Sequence, residues 1–260
     1  MTEMISSSTN PKIKNIVRLK KSAKARKEQE SFLVEGPRMF FEVPADRLKE
    51  VYVTEDFEKK YREKLSGYSY EVVSESVCRH ISDTKTPQGV LAVVRQDTMT
   101  LDHMLALEEK PLFLLLESLQ DPGNLGTIFR TAEGAGVTGI IMNRDTVDPY
   151  NPKVIRSTMG TVFRVPFVIV EDLRDAIGRL QDRGICIFAA HLAGRLFYDE
   201  NYTGGSGFLI GNEGKGLTEE VSSMADAKIR IPMKGEVESL NAAVAATVLV
   251  YEAQRQREWR

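Results

Sequence analysis

Residues 112–136, LFLLLESLQDPGNLGTIFRTAEGAG, decide the fold of the second half of the chain. Leu112–Leu116 is an uninterrupted apolar run of strand length, bounded on its far side by turn residues. Asp121-Pro122-Gly123 is a turn sequence: proline presets φ and glycine tolerates positive φ. Asn124 then stands where a helix N-cap belongs, and helical periodicity follows with Arg130 in it. A strand end, a glycine turn and a helix start form a common setting for a ligand site in α/β proteins.

The same arrangement recurs downstream. Residues 207–217, GFLIGNEGKGL, and residues 229–246, IRIPMKGEVESLNAAVAA, each carry a strand, a polar loop and the start of a helix. Between and around these segments, strands are expected at 112–117, 139–142, 165–170, 185–190, 207–211 and 228–231. Helices are expected at 124–135, 152–159, 171–183, 218–225 and 239–257. The strands read as near-continuous apolar runs, the pattern of strands covered on both faces, so the expected fold class is α/β with a mainly parallel sheet and helices on both sides. In the last helix the expected packing stripe is Leu240, Val244, Val248 and Tyr251, and its alanines permit close backbone approach. Ser239 and Asn241 read as helix-start residues, with Ser239 as N-cap.

The first half alternates as well. Strands are expected at 32–35, 50–54, 70–74 and 89–95, with helical patterns near 37–46, 56–65 and 75–82, giving a small α/β domain over residues 1–96. Asn10-Pro11 has the form of an N-cap followed by proline at the first helical position. Residues 97–109 read as a linker and 110–260 as the second domain.

The formal net charge is −2, yet residues 10–27, NPKIKNIVRLKKSAKARK, contain eight basic residues and no acidic one. A basic segment on an acidic body fits either a nucleic-acid contact, driven by counterion release, or a solvated helix face. The candidate nucleic-acid contacts are Lys12, Lys14, Arg18, Lys20 and Lys21, with Arg38 at a helix start after Gly36-Pro37 and Arg156 on a second helix after Asn151-Pro152; a plain surface arginine remains the alternative for Arg156. The 42% hydrophobic and 28% charged content is that of a globular protein without a membrane-length apolar run. No signal peptide is expected, and Cys78 and Cys186 read as reduced core thiols, so the expected compartment is the cytosol.

Two look-alikes are set aside. Gly134–Gly139 fits G-x-G-x-x-G by letter, but it closes a helix and leads into a strand, the reverse of a dinucleotide fingerprint. Gly214-Lys215 lacks the flanking residues of a P-loop, with Leu209 and Gly216 where glycine and Ser/Thr are required. The three histidines are scattered and no metal is expected. His191 is left open between pocket lining and a structural role.

The three polar loops, taken together, resemble the signature motifs of the SpoU/TrmH family of RNA ribose 2′-O-methyltransferases. The residues that carry the resemblance are Asn124, Gly126 and Arg130; Gly211, Asn212, Glu213 and Gly214; and Ile231, Pro232, Ser239, Leu240, Asn241 and Ala242. The resemblance spans residues 112–258 and implies S-adenosyl-L-methionine as cofactor, a C-terminal trefoil knot and a homodimer with shared active sites. It implies cofactor contacts from Gly211, Ile231 and Leu240, with Ile210, Ser239 and Ala190 as further candidates, and a catalytic set of Arg130, Asn124, Glu213 and Asn241. Glu213 is read either as an acceptor for an arginine, Arg130 or a partner's, or as a solvated loop acid. Ser31–Arg38, SFLVEGPR, resembles the start of the RNA-binding domain found in rRNA-directed members. The expected substrate is therefore RNA, with 23S ribosomal RNA favoured; the alternatives are tRNA, a base in place of a ribose, or a non-catalytic RNA-binding protein on the same fold.

Overall fold

The computed structural model describes residues 4–107 and 109–258. The chain divides into two compact units. The first comprises residues 1–97 and 148–163, the second residues 98–147 and 164–260. Against the expected domains 1–96 and 110–260 with a linker over 97–109, the difference lies in the middle of the chain, where residues 148–163 belong to the first unit.

The first unit opens with α1 (Pro11–Lys21), capped by the Asn10 side chain, which accepts from the Lys12 N–H. It continues through α2 (Ala23–Glu28), β1 (Ser31–Glu35), α3 (Pro37–Phe40), β2 (Leu48–Val53), α4 (Glu55–Lys60), β3 (Glu71–Val72), α5 (Glu75–Ile81) and β4 (Val90–Arg95). The sheet order is β1-β4-β2-β3, antiparallel except for β2 with β3. Ile13, Ile16 and Leu19 of α1 pack into a core with Leu33, Tyr52, Val77, Ile81 and Leu91. That spacing places three apolar residues on one helix face and leaves the lysines outside.

The second unit begins with α6 (Leu101–Leu105), capped by Thr100, so the expected linker contains a helix whose Leu101, Met104 and Leu105 are core residues. Then follow β5 (Leu112–Leu116), α7 (Pro122–Gly134) and β6 (Gly139–Asn143). The chain next supplies α8 (Pro152–Thr158) to the first unit. It returns for β7 (Phe167–Val170), α9 (Leu173–Gln181), β8 (Cys186–Leu196), β9 (Ser206–Ile210), α10 (Glu219–Ser222), β10 (Ala227–Arg230) and α11 (Ala242–Glu258). The six strands, in the order β10-β8-β9-β5-β6-β7, are all parallel. Every residue of β5 and β9 is buried. Phe113, Leu115, Ile187 and Leu209 meet α6, α9 and α10; α7 and α11 pack together and cover the other face.

Two expectations for α11 are corrected. The helix starts at Ala242, and its buried face is Ala242, Ala243, Ala246, Leu249, Val250 and Ala253. Val244 and Tyr251, from the expected packing stripe, are 46% and 42% exposed. This face, alanines together with Leu249 and Val250, is the one that meets α7 and β9.

The segment 148–163 is held in the first unit by specific contacts. Arg26, 3% exposed, donates from Nε to Asp148 Oδ2 at 2.8 Å and from Nη1 to the Leu19 carbonyl at 2.7 Å. The Asp97 N–H donates to the Tyr150 hydroxyl, and burial pushes that phenol up to about 12. The Arg47 guanidinium lies over the Phe32 and Phe163 rings at 6.0 and 5.7 Å.

Candidate cofactor cavity and active site

Three loops meet at the carboxyl ends of β5, β9 and β10, where adjacent parallel strands deliver residues distant in sequence to one place. The first runs from Glu117 into α7. Asp121, not Asn124, caps this helix, accepting the Asn124 N–H at 2.8 Å. The local reason is Pro122 at the first helical position, which moves the helix start upstream. Asn124 is thus inside the first turn, and its amide is free for other work. Its Nδ2 donates to Glu213 Oε1 at 2.9 Å, and its Oδ1 accepts from Asn241 Nδ2 at 2.9 Å.

Asn241 in turn accepts the Ala243 and Val244 N–H groups with Oδ1, at 2.9 and 3.3 Å, so it caps α11 in place of the expected Ser239. Glu213 is fully engaged: Oε1 also accepts the Asp121 N–H at 2.9 Å and Oε2 the Gln120 N–H at 3.0 Å. Desolvation opposes its charge, but the donors from Asn124, Gln120 and Asp121 prevail and hold its carboxyl below the ordinary value. A run of hydrogen bonds therefore links the second loop to the start of α11 through Asn124. Side-chain capping and loop bracing are done by the same residues.

A cavity of about 310 Å³ opens beside this run. The cofactor candidates Ala190, Ile210, Gly211, Ile231, Ser239 and Leu240 all line it, as does Glu213. Its apolar part is Ile229, Ala242, Ala245 and Leu249, and its polar rim includes His191, Lys215 and Glu238. Two local irregularities shape it. At β8 the pairing with β10 jumps from Ala189↔Lys228 to Arg195↔Ile229, and the residues between swing out, bringing Ala190, His191 and Leu192 to the cavity. Gly194 allows this, because a Cβ there would lie 2.4 Å from the Ile229 nitrogen. Gly211 is the second: a Cβ would lie 2.2 Å from the Gly216 carbonyl carbon. Only glycine lets the loop fold back on itself, closed by Asn212 N–H to Gly216 O at 3.0 Å and Gly216 N–H to Asn212 O at 2.9 Å. An elongated cavity with apolar walls, exposed backbone groups and a few polar side chains fits a nucleoside-bearing ligand.

Arg130 lies elsewhere. It is exposed, does not line the cavity, and makes no hydrogen bond or ion pair among the described residues. Six residues along a 3.6-residue helix turn it about 120° away from Asn124 and about 9 Å along the axis. Glu213 meets Asn124 and two backbone N–H groups in place of Arg130.

The basic candidates of the first unit divide into two groups. Lys12 pairs with Glu71, Arg18 with Glu28 at 2.9 Å, and Arg156 with Asp83. Lys20 donates to the His80 and Ser82 carbonyls at 3.1 and 2.9 Å, and burial pushes its ammonium down. Lys14, Lys21 and Arg38 are exposed. Among residues the sequence did not single out, Glu117 and Gln120 brace the loops. Asp121, part of the quoted turn, gave a recognisable cap signal before Pro122, whereas Glu117 had none. Among the described residues no cluster of His, Cys, Asp or Glu could hold a metal, and no helix is long and apolar enough to cross a membrane.

A parallel α/β sheet whose carboxyl-end loops enclose a nucleoside-sized cavity, joined to a separate unit with its own antiparallel sheet, defines a two-unit, nucleotide-cofactor class of α/β protein. Within that class the chain belongs to the SpoU rRNA methylase family, whose profile matches residues 111–251. Residues 10–92 match the MRM3-like substrate binding domain. The chain is 32% identical over 252 residues to the Bacillus subtilis (strain 168) 23S rRNA (guanosine(2553)-2′-O)-methyltransferase RlmP, covering 96% of this chain and 98% of that protein. Among solved structures it resembles the AdoMet-bound rRNA methyltransferase from Sinorhizobium meliloti, at TM-score 0.85 and 32% identity over 97% of each chain. It also resembles the SpoU methyltransferase AviRb from Streptomyces viridochromogenes in complex with AdoMet, at TM-score 0.85 and 29% identity, covering 95% of this chain and 98% of that one.

Proposed function

We propose that this enzyme transfers a methyl group from S-adenosyl-L-methionine to a ribose 2′-hydroxyl of 23S ribosomal RNA. The observation that carries the reading is the cavity itself: three motif loops line or brace it, and Glu213, Asn124 and Asn241 are joined by hydrogen bonds at its edge. S-adenosyl-L-methionine, when bound, supplies an activated methyl group. Backbone groups at Ile210, Gly211, Ile231 and Leu240 would hold it, since these side chains offer no hydrogen bond. Ala190 and Ser239 complete the wall. Binding then does most of the catalytic work by positioning.

Arg130 is read as the group that meets the substrate. A guanidinium keeps its proton, so its role is to hold the adjacent phosphate and stabilise the developing alkoxide, with the proton leaving to water or a phosphate oxygen. Because Arg130 does not line its own cavity, we assign it to the cavity of a second copy. The exposed Val244, the half-buried Val248 and the exposed Tyr251 on α11 form an apolar surface beside α7 that such a homodimer would cover. Trp259, the other aromatic residue expected there, lies outside the described residues. The trefoil knot belongs to the same reading.

The first unit is read as the RNA grip, with exposed Lys14, Lys21 and Arg38 as phosphate contacts, and the whole as a cytosolic enzyme whose Cys78 is kept inert by burial, which raises its thiol to about 11. Labelled S-adenosyl-L-methionine, offered with RNA lacking the modification and counted separately in 23S, 16S and tRNA, tests the reading. Ribose label in 23S, absent with Arg130→Ala, supports it. Label in tRNA would overturn the substrate assignment, and cofactor binding without transfer to any RNA would leave an RNA-binding protein.

A further inference from the structure

Glu117 is a buried carboxylate, 6% exposed, that lies outside the cavity and belongs to none of the motif positions. It stands immediately after β5, beside the exit of the cofactor loop from β9. Its backbone N–H donates to the Ile210 carbonyl at 2.9 Å, continuing the parallel ladder to the last residue before Gly211. Its carboxylate takes both donors of Thr218, where the same loop returns: Oε2 accepts the backbone N–H at 2.8 Å and Oε1 accepts the hydroxyl at 2.7 Å. One residue thus holds the loop 211–218 at the point of departure and the point of return. The hydroxyl of Thr218 also receives the Val221 N–H, so the same contact sets the start of α10.

Between these two points the loop is closed by the Asn212–Gly216 backbone pair, and Asn212 Oδ1 takes the Gly214 and Lys215 N–H groups. Its return limb lies directly over Gly211, where Gly216 and Leu217 occupy the space of the missing Cβ. Gly211, Asn212, Glu213, Gly214, Lys215 and Gly216 all line the cavity. Asn212 Nδ2 to the Ser118 carbonyl at 2.8 Å, and Glu213 to the 120–121 backbone, brace only the outgoing limb. Glu117 alone among these braces the returning one. A buried charge with two charge-assisted bonds is costly to disrupt and fixes geometry well.

We infer that Glu117 is a positioning residue that pre-forms the cofactor-binding loop by pinning Thr218, and that it acts on cofactor affinity, not on the methyl-transfer step. This rests on the reading of the cavity as the S-adenosyl-L-methionine site. The test measures cofactor Kd by calorimetry on the full-length protein without RNA, together with KM and kcat for transfer. Glu117→Leu removes both acceptors at similar size. It is expected to raise the Kd and the cofactor KM at least about tenfold, with kcat at saturating cofactor within about threefold of wild type. Glu117→Gln keeps an acceptor for the N–H and a donor for the hydroxyl, and is expected to restore Kd to within about threefold.

Thr218→Val, which keeps the N–H and loses the hydroxyl, is expected to weaken binding by a smaller factor and to add less than its own effect in the Glu117→Leu background. Thr218→Ser should bind as wild type. Should Glu117→Leu fail to fold, the Thr218→Val and Thr218→Ser pair decides. Unchanged Kd in Glu117→Leu or, failing its folding, in Thr218→Val overturns the inference. So does a loss confined to kcat. A wild-type protein that binds no S-adenosyl-L-methionine would instead overturn the reading of the cavity.

Discussion

Lys12, Arg18 and Lys20 of α1 and Arg130 of α7 carry the same charge in opposite circumstances. On α1, Lys12 and Arg18 face carboxylates and Lys20 ties down the end of α5 through two carbonyls. On α7, Arg130 is exposed with no partner among the described residues, although Glu133 lies one turn on along the same helix and is itself paired with Arg164. The difference teaches that the charges of a dense basic run can be taken up by partners within the same chain. In the second unit the polar residues of the motif loops are engaged with one another across long sequence distances, whereas Arg130 has no partner among the described residues.

The comparison can be broken most sharply at Arg130. Arg130→Ala is expected to lower methyl transfer by about 10²–10³-fold, the loss seen when one charge-stabilising donor is removed. Cofactor Kd and thermal midpoint should stay at wild-type values, since the side chain supports nothing in its own chain. A midpoint that falls along with activity would return Arg130 to the structural group.

Arg26 supplies the next largest effect, on stability. Arg26→Ala removes a buried guanidinium from Asp148 and from the Leu19 carbonyl. The expected cost is about 3 kcal/mol in the first unit, measured by denaturant unfolding. An exposed control, Lys14→Ala, should stay within about 0.5 kcal/mol.

Acid probes the loop bracing. The Glu213 carboxyl is held below its ordinary value in the folded protein, so its contribution is fully present above the ordinary carboxylate range and is lost as pH falls through the lowered folded value. Cofactor affinity should therefore be flat from neutral pH down through the usual carboxylate range and then fall. Glu213→Gln, which cannot ionise, should bind more weakly at neutral pH and show a shallower acid limb. An acid limb of unchanged depth in that variant would assign it to another group.

The smallest effects separate the two groups of basic residues. Lys14→Ala and Lys21→Ala are each expected to lower RNA affinity modestly and to reduce the salt dependence of binding by about one phosphate contact. Lys12→Ala, whose charge already meets Glu71, should change the salt slope less. Equal slopes for all three would erase the distinction drawn on α1.

Periodicity and turn chemistry were enough to read the alternating strands and helices, because strands covered on both faces must be continuously apolar and caps must be Asn, Asp, Ser or Thr. The caps at Asn10 and Asn151 follow that rule and hold in the structure. Neighbouring candidates defeated it twice: Asp121 and Asn241 do the capping expected of Asn124 and Ser239, since several acceptors within a few residues are locally equivalent and only the path of the following helix selects among them. The α6 helix, too short to show a period, went unread. So did the orientation of α11, whose valines and alanines are both apolar; the packing distance to α7 and the sheet decides which face is buried.

What the sequence determined by itself is the set of groups: three loops rich in glycine and amide side chains, an arginine six residues beyond an asparagine, and the class of fold that presents them. What only the tertiary structure decided is who meets whom. Glu213 meets Asn124, Asn124 meets Asn241, Glu117 meets Thr218, and residues 148–163 join the first unit. These partners lie about 90 to 120 residues apart. Hydrogen bonds and ion pairs act over a few ångströms, and pairs this far apart along the chain come within that range only once each unit has folded, the motif loops when the parallel strands have brought their carboxyl ends side by side.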